Sequence, residues 1–160
     1  VIYFVEEIFP LILKARPSAT FTIAGQRPVP KVLALAHGKQ IQVTGFIEHI
    51  AEIYTTATIV VAPLRFGAGT QNKVLEAMAK GVPVVSRNIG FEGLDIQQGE
   101  GVFLQMSSED FAQQCIALLN DAQLRATVGK RGQAVIAEKF AWPKIAQQLS
   151  NYFKSISEKK

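Results

Sequence analysis

The sequence holds a single cysteine, Cys115, so no disulfide can form within the chain. It sits at an apolar helical position, which points to an inert core thiol and a reducing, cytoplasmic setting. Histidine is almost as scarce: His37 and His49 have no partner at catalytic or metal-ligand spacing and read as surface or helix-end residues. There is no cluster of His, Cys and Asp and no Asp-x-Asp pair, so neither a metal nor a resident cofactor is expected. No apolar run approaches the length of a membrane span, and no signal peptide is visible. Charge is weak and spread out. The net charge of +4 comes without any aromatic-interleaved basic stripe, which argues against nucleic acid as a partner. Internal repeats and low-complexity segments are absent too. The chain does not begin with Met and starts inside an apolar pattern, so it is expected to be a fragment or an excised domain.

What is present is enough apolar material for one core. With 160 residues, 48% of them hydrophobic, residues 1–160 are expected to form a single domain. The organising stretch is Thr58 to Arg87, TIVVAPLRFGAGTQNKVLEAMAKGVPVVSR. It reads as a strand (Thr58 to Ala62), a turn (Pro63 to Thr70), a helix (Gln71 to Lys80) and a second strand (Val82 to Ser86). Two continuous β-branched runs joined by a helix make a βαβ unit, because strands buried on both faces lose polar alternation. The fold class is α/β, with a parallel sheet between helical layers.

The turn carries the chemistry. Gly67 and Gly69 let the backbone approach a ligand, and the helix that follows aims its free N–H groups and positive dipole end at the same place, which suits an anion. Lys73 and Glu76 project from nearly one helix face beside Asn72, while Val74, Leu75 and Met78 can pack on the sheet. Backbone donors, an ammonium and a carboxylate together suit a phosphate and a pair of sugar hydroxyls, as in a nucleotide sugar. Simpler roles stand beside this one. Glu76 has the i,i+4 spacing to pair with Lys80, Lys73 can merely cover helix surface, and Arg65 can serve either the ligand or a neighbouring acid.

RFGAGTQNKVLEAMAKGVPVV resembles the donor-binding signature of GT-B glycosyltransferases, most closely the retaining family 4, also called glycosyl transferases group 1. The resemblance is strongest over Thr58 to Arg87 and weaker across the rest of the chain. It implies the C-terminal, Rossmann-like half of a GT-B fold, a three-layer α/β/α domain whose first strand is missing from this chain. The glutamate that receives the ribose hydroxyls in that family corresponds to Glu76. Family members often carry a second glutamate eight positions earlier, where this sequence has Ala68. The form R-x-G-x-G-x3-K-x-L-E-A, here Arg65 to Ala77, is similar to a variant of polysaccharide-assembly transferases. The catalytic candidates are thus Lys73 and Glu76. Arg65, Gly67, Ala68, Gly69, Thr70, Gln71, Asn72, Val74 and Leu75 are the donor-binding candidates in the signature. Gly25, Gly45, Phe46 and Ile47 join them from earlier turns that resemble the family's.

Along the chain, Val1 to Ala15 reads as a helix, kinked at Pro10. Thr20 to Ala24 is a strand ending at Gly25, and Gln26 and Arg27 read as solvated loop residues at its carboxyl end. A short helix follows near Lys31 to Ala36. Ile41 to Thr44 is the next strand. Gly45, Phe46 and Ile47 after it either line a nucleobase pocket, as the resemblance implies, or form a core turn. Glu48 to Ala57 is a short helix. Beyond the central unit, the loop Arg87 to Leu94 lies on the ligand side of the sheet, with Gly90 and Phe91 as secondary candidates. A strand at Gly101 to Gln105 leads to a helix near Glu109 to Asn120, capped by Ser107 or Ser108. Two further helices, Asp121 to Lys139 and about 141 to 157, complete the chain. Lys154, Lys159 and Lys160 form a solvated end.

The resemblance implies a metal-independent, retaining hexosyltransferase using a nucleoside-diphosphate sugar donor and a saccharide or lipid-linked acceptor. It also implies a missing N-terminal GT-B domain as partner, a cytoplasmic location and peripheral membrane association of the full-length protein. Alone, this chain is expected to bind donor weakly and transfer nothing. Two rival readings are a GT-B sugar-nucleotide epimerase domain and a non-catalytic Rossmann-like regulatory module. No acid/base group here selects epimerisation, and the strand ends at Gly25, Thr44 and Pro63 lack the acidic cluster a receiver needs.

Overall fold

In the computed structural model of the chain, Val84 and Val85 are neighbours on one strand and both are 0% exposed, yet they belong to different cores. Successive side chains of a strand point to opposite faces, so a strand with both neighbours buried must be covered on both sides. The structure describes residues 1–67, 69, 71–89, 91 and 95–157.

In chain order, the chain opens with a π-helical turn, Phe4–Ile8, that runs into α1 (Phe9–Ala15). Then come β1 (Phe21–Ala24), α2 (Pro30–Leu33), β2 (Ile41–Gly45), α3 (Ile50–Thr56), β3 (Val60–Ala62) and α4 (Asn72–Ala79). β4 (Val84–Ser86), β5 (Val102–Leu104), α5 (Ser108–Asn120) and α6 (Ala122–Val135) follow. A second π-helical turn, Ile136–Phe140, leads into α7 (Trp142–Ser157). The Pro10 kink expected from sequence is resolved differently. Pro10 falls in the first turn of α1, where its missing N–H costs little, and the Phe9 N–H reaches back to the Phe4 carbonyl, five residues away.

All strand pairs are parallel, as the βαβ pattern requires. Phe21 lies opposite Ile41, Val60 opposite Val84, and Val84 opposite Val102. The sheet is present as two ladders, β1-β2 and β3-β4-β5. Among the described residues no ladder joins β1 to β3. The two strands instead flank a cavity of about 530 Å³ that Val1, Tyr54 and Lys73 also line.

One face carries the first π-helical turn, α1 and α5, whose Phe4, Phe9, Ile12, Phe111, Cys115 and Leu118 share a core with Val85. The other carries α4, whose Val74, Ala77 and Met78 pack with Val84 and Val102. The result is the expected helix, sheet, helix layering. Behind α4, α6 approaches at backbone distance. A Cβ on Gly129 would overlap the carbonyl oxygen of Gly81, and one on Gly132 would stand 2.8 Å from the Cα of Gly101. Glycine is what permits this contact.

Ser107, not Ser108, caps α5: its Oγ accepts the Asp110 N–H at 3.0 Å. Cys115 is buried, as its helical position suggests. α7 contacts the π-helical turn before it and buries none of its side chains. No helix among the described residues is long and apolar enough to cross a membrane.

Candidate functional site

The candidate turns follow the carboxyl ends of β1, β2 and β3, the end of each strand at which ligands of open α/β sheets bind. Gly25 follows β1 and Gly45 ends β2; the Gly25 N–H donates to the Gly45 carbonyl at 3.2 Å. Phe46, next to Gly45, is 65% exposed, and Ile47 is half-buried, so the core-turn reading of this pair fails for Phe46. Gln26 and Arg27 are exposed, as expected of loop residues.

After β3 the chain turns through Gly67 (φ 153°) and Gly69 (φ 78°), both in the region that side chains strain to enter. Gln71 is extended (φ −86°, ψ 91°) and forms the N-cap of α4, so the helix starts at Asn72, one residue later than the sequence suggests. The Gln71 side-chain amide donates to the Gly69 carbonyl at 3.4 Å, tying the turn to the helix. The first N–H groups of a helix have no acceptor within it, and the dipole adds partial positive charge, so this end of α4 attracts an anion. Ala68, Thr70 and Gly90 lie outside the described residues, as do Lys159 and Lys160 at the chain end.

On α4, Asn72, Lys73 and Glu76 are exposed, whereas Val74, Ala77 and Met78 are wholly buried. Val74 is therefore a packing residue. Its side chain fills the core, and its N–H already donates to the Gln71 carbonyl at 2.9 Å. Leu75 is half-buried. Glu76 does not pair with Lys80. The hydroxyl of Tyr54 on α3, a buried residue, donates to its Oε2 at 3.0 Å. Burial holds the Tyr54 phenol in its protonated form, with further help from the hydrogen bond to Glu76 and from that carboxylate's charge. Tyr54 is a donor throughout the usual pH range. Lys73 lines the cavity between β1 and β3 together with Val1 and Tyr54.

Arg65 and Arg87 converge on one ring. The Arg65 guanidinium stands 5.0 Å from the Tyr3 ring centre and that of Arg87 5.7 Å, and Arg87 Nη1 donates to the Tyr3 hydroxyl at 2.9 Å. The same hydroxyl lies 2.8 Å from Ser108 Oγ. Among the described residues Arg65 pairs with no acid; the ion pair there is Lys139 with Asp95 at 2.8 Å. Phe91, a secondary candidate, is buried in the same core cluster as Val84 and Met78. His37 and His49 are exposed, and His49 precedes α3 as its N-cap.

Sequence reasoning passed over Tyr3, Tyr54 and the side chain of Arg87. Arg87 had the strand-end position as a signal. The two tyrosines had none, because each meets its partner across the fold. Among the described residues no three His, Cys, Asp or Glu side chains come together as a metal site would require.

The model of the family described as glycosyl transferases group 1 matches residues 1–121. A curated relative, the GDP-mannose-dependent monoacylated alpha-(1-6)-phosphatidylinositol monomannoside mannosyltransferase of Corynebacterium glutamicum, is 27% identical over 158 residues, covering 91% of this chain and 42% of its own. The chain spans less than half the length of the curated relatives it matches. Among solved structures, Anabaena Alr3699/HepE in complex with UDP superposes with a TM-score of 0.80 at 20% identity, covering 92% of this chain and 44% of that one. The C-terminal domain of the glycosyl transferase group 1 family protein LpcC from Francisella tularensis superposes at 0.71 with 25% identity, covering 87% and 78%. The family match over most of the chain, together with these parallel α/β neighbours, makes the chain a member of glycosyl transferases group 1 with the Rossmann-like C-terminal architecture of a GT-B fold.

Proposed function

We propose that this chain is the donor-binding half of a retaining, metal-independent glycosyltransferase, which moves a hexose from a nucleoside diphosphate to a hydroxyl of a saccharide or lipid-linked acceptor. The observation that carries the proposal is the assembly at the start of α4. The left-handed turn at Gly67 and Gly69, the helix N-terminus, exposed Lys73 and exposed Glu76 all lie within residues 67–76, after the carboxyl end of β3.

In the reaction, the bond between the sugar's anomeric carbon and the diphosphate oxygen breaks, a bond to the acceptor oxygen forms, and the acceptor hydroxyl's proton passes to the departing diphosphate. Negative charge grows on the departing diphosphate. The amides at the start of α4 and the Lys73 ammonium are the groups that stabilise it, and fixed dipoles and charges of this kind are usually the largest contribution to such catalysis. Glu76 receives the ribose hydroxyls, Arg65 lies close enough in sequence to the turn to add charge, and exposed Phe46 offers a face to the base. The acceptor and the opposite wall of the cleft belong to an N-terminal GT-B domain, residues 1–160 being one domain. The full-length protein works in the cytoplasm, at the inner face of the membrane when its acceptor is lipid-linked.

The reading is tested by titrating the chain with UDP, GDP and ADP by calorimetry or ligand-observed NMR, with Glu76→Ala as control. One diphosphate is expected to bind and to weaken in the variant. A chain that binds none of the three, alone and when joined to an N-terminal domain, overturns the donor-site reading.

A further inference from the structure

The hydrogen bond between Tyr54 and Glu76 joins a residue of the core to a residue of the proposed donor site, and it spans two helices. Glu76 lies exposed on α4, and a glutamate at such a position ordinarily samples several rotamers. Tyr54 cannot do so: it is 7% exposed and packs with Val74, Ala77 and Met78. Its hydroxyl emerges from that packing 3.0 Å from Oε2, while Oε1 has no partner among the described residues.

We infer that Tyr54 is a positioning residue for the donor site, holding the Glu76 carboxylate in one orientation so that its open lone pairs meet a vicinal diol of the ligand. This rests on the donor-site reading above. A carboxylate fixed before binding spares the ligand the entropy of ordering it, and that gain falls on molecules that present hydroxyls to Glu76. Tyr54 suits the task because the donor must stay protonated, and burial together with the neighbouring carboxylate keeps it so. It also borders the cavity that Lys73 lines.

The test is Tyr54→Phe, which keeps the ring and deletes the donor. Affinities for UDP, GDP and ADP are measured by ligand-observed NMR in wild type, Tyr54→Phe, Glu76→Ala and the double variant, with a thermal melt of each. The expected result is a loss of affinity of about three- to tenfold in Tyr54→Phe, as befits one lost hydrogen bond. In the Glu76→Ala background Tyr54→Phe should produce no further loss, because a residue that acts through Glu76 has nothing left to position. Equal affinity in wild type and Tyr54→Phe overturns the inference alone. So does an undiminished loss in the Glu76→Ala background, which would mean that Tyr54 acts through the fold or touches the ligand itself. A wild-type chain that binds none of UDP, GDP and ADP, alone and when joined to an N-terminal domain, removes the donor-site reading and this inference with it. Tyr54→Leu, which deletes ring and donor together, should lower the melting temperature markedly while Tyr54→Phe does not, separating packing from positioning.

Discussion

The Arg65 guanidinium lies 5.0 Å over the ring of Tyr3, and Arg87 donates to the hydroxyl of the same tyrosine at 2.9 Å. One side chain from the first helical turn therefore fixes two cations from two different strand-end loops. Tyr3→Phe should cost about 1 kcal/mol of folding stability by removing the hydrogen bonds to Arg87 and Ser108. Tyr3→Leu should cost about 1–2 kcal/mol more through lost ring area and cation–π contacts. Denaturant melts of both variants measure the difference, and equal stability of the two would remove any role for the ring.

Lys73 is expected to act through charge. Lys73→Gln should weaken diphosphate binding about tenfold or more, in keeping with the worth of a charge-assisted contact, and should flatten the dependence of affinity on salt. Lys73→Arg should keep most of both. Titrations at low and at physiological ionic strength decide the matter, and a variant with the wild-type salt dependence would show that Lys73 only covers the helix.

The glycine contact between α6 and the end of α4 is a stability prediction. Gly129→Ala forces a methyl into the Gly81 carbonyl and should cost about 3 kcal/mol or more, since backbone must move. Gly25→Ala is the contrast: nothing lies within 4 Å of its Cβ position, and the fold should tolerate it. Chemical denaturation of the pair checks both at once.

Burial pushes the Cys115 thiol above its ordinary range, so the folded chain keeps a proton that the unfolded chain releases from about pH 8.5 upward. The contribution is complete below the unfolded thiol's pKa and is lost as pH rises above it. Tyr54 works in the same direction from about pH 10. The denaturation midpoint should fall between about pH 8 and pH 10, and less steeply in Cys115→Ala. On the acid side, the hydrogen bond from Lys139 and its charge hold Asp95 low, so stability is lost as pH falls from about 3.9 through the folded value, a loss that Asp95→Asn abolishes. Thiol labelling at pH 8 should track global unfolding.

The central unit was the most legible part of the chain, because Val60 to Ala62 and Val84 to Ser86 lie in continuous β-branched runs and only burial on both faces accounts for such runs. The ends of these strands were less legible. Both begin two residues later than the runs suggest, and Val60 pairs back to the carbonyl of Pro83, a residue with no N–H of its own. The glycine turn and the exposed face of α4 were visible from spacing alone, since helix geometry fixes where Lys73 and Glu76 point. The partner of Glu76 was not. Local spacing favoured Lys80, four residues on, whereas the partner is Tyr54, twenty-two residues back on another helix. Tyr3 and Arg87 stand eighty-four residues apart, and nothing in the sequence of either signals the other. Val74 shows the opposite limit: a residue inside a binding signature is in it for packing.

The π-helical turn at Phe4–Ile8 sets the phase of everything before it. In a regular α-helix Phe4 and Phe9 would sit about 140° apart around the axis, one facing the core and the other largely turned away. The widened turn absorbs the extra residue, so both rings are buried, their centres 6.0 Å apart. The residues before Phe4 are rotated by the same step. Tyr3 is thereby swung to the carboxyl edge of the sheet, within reach of Arg65 and Arg87. One added residue in one turn acts as an indexing step that aims Tyr3 at the two arginines.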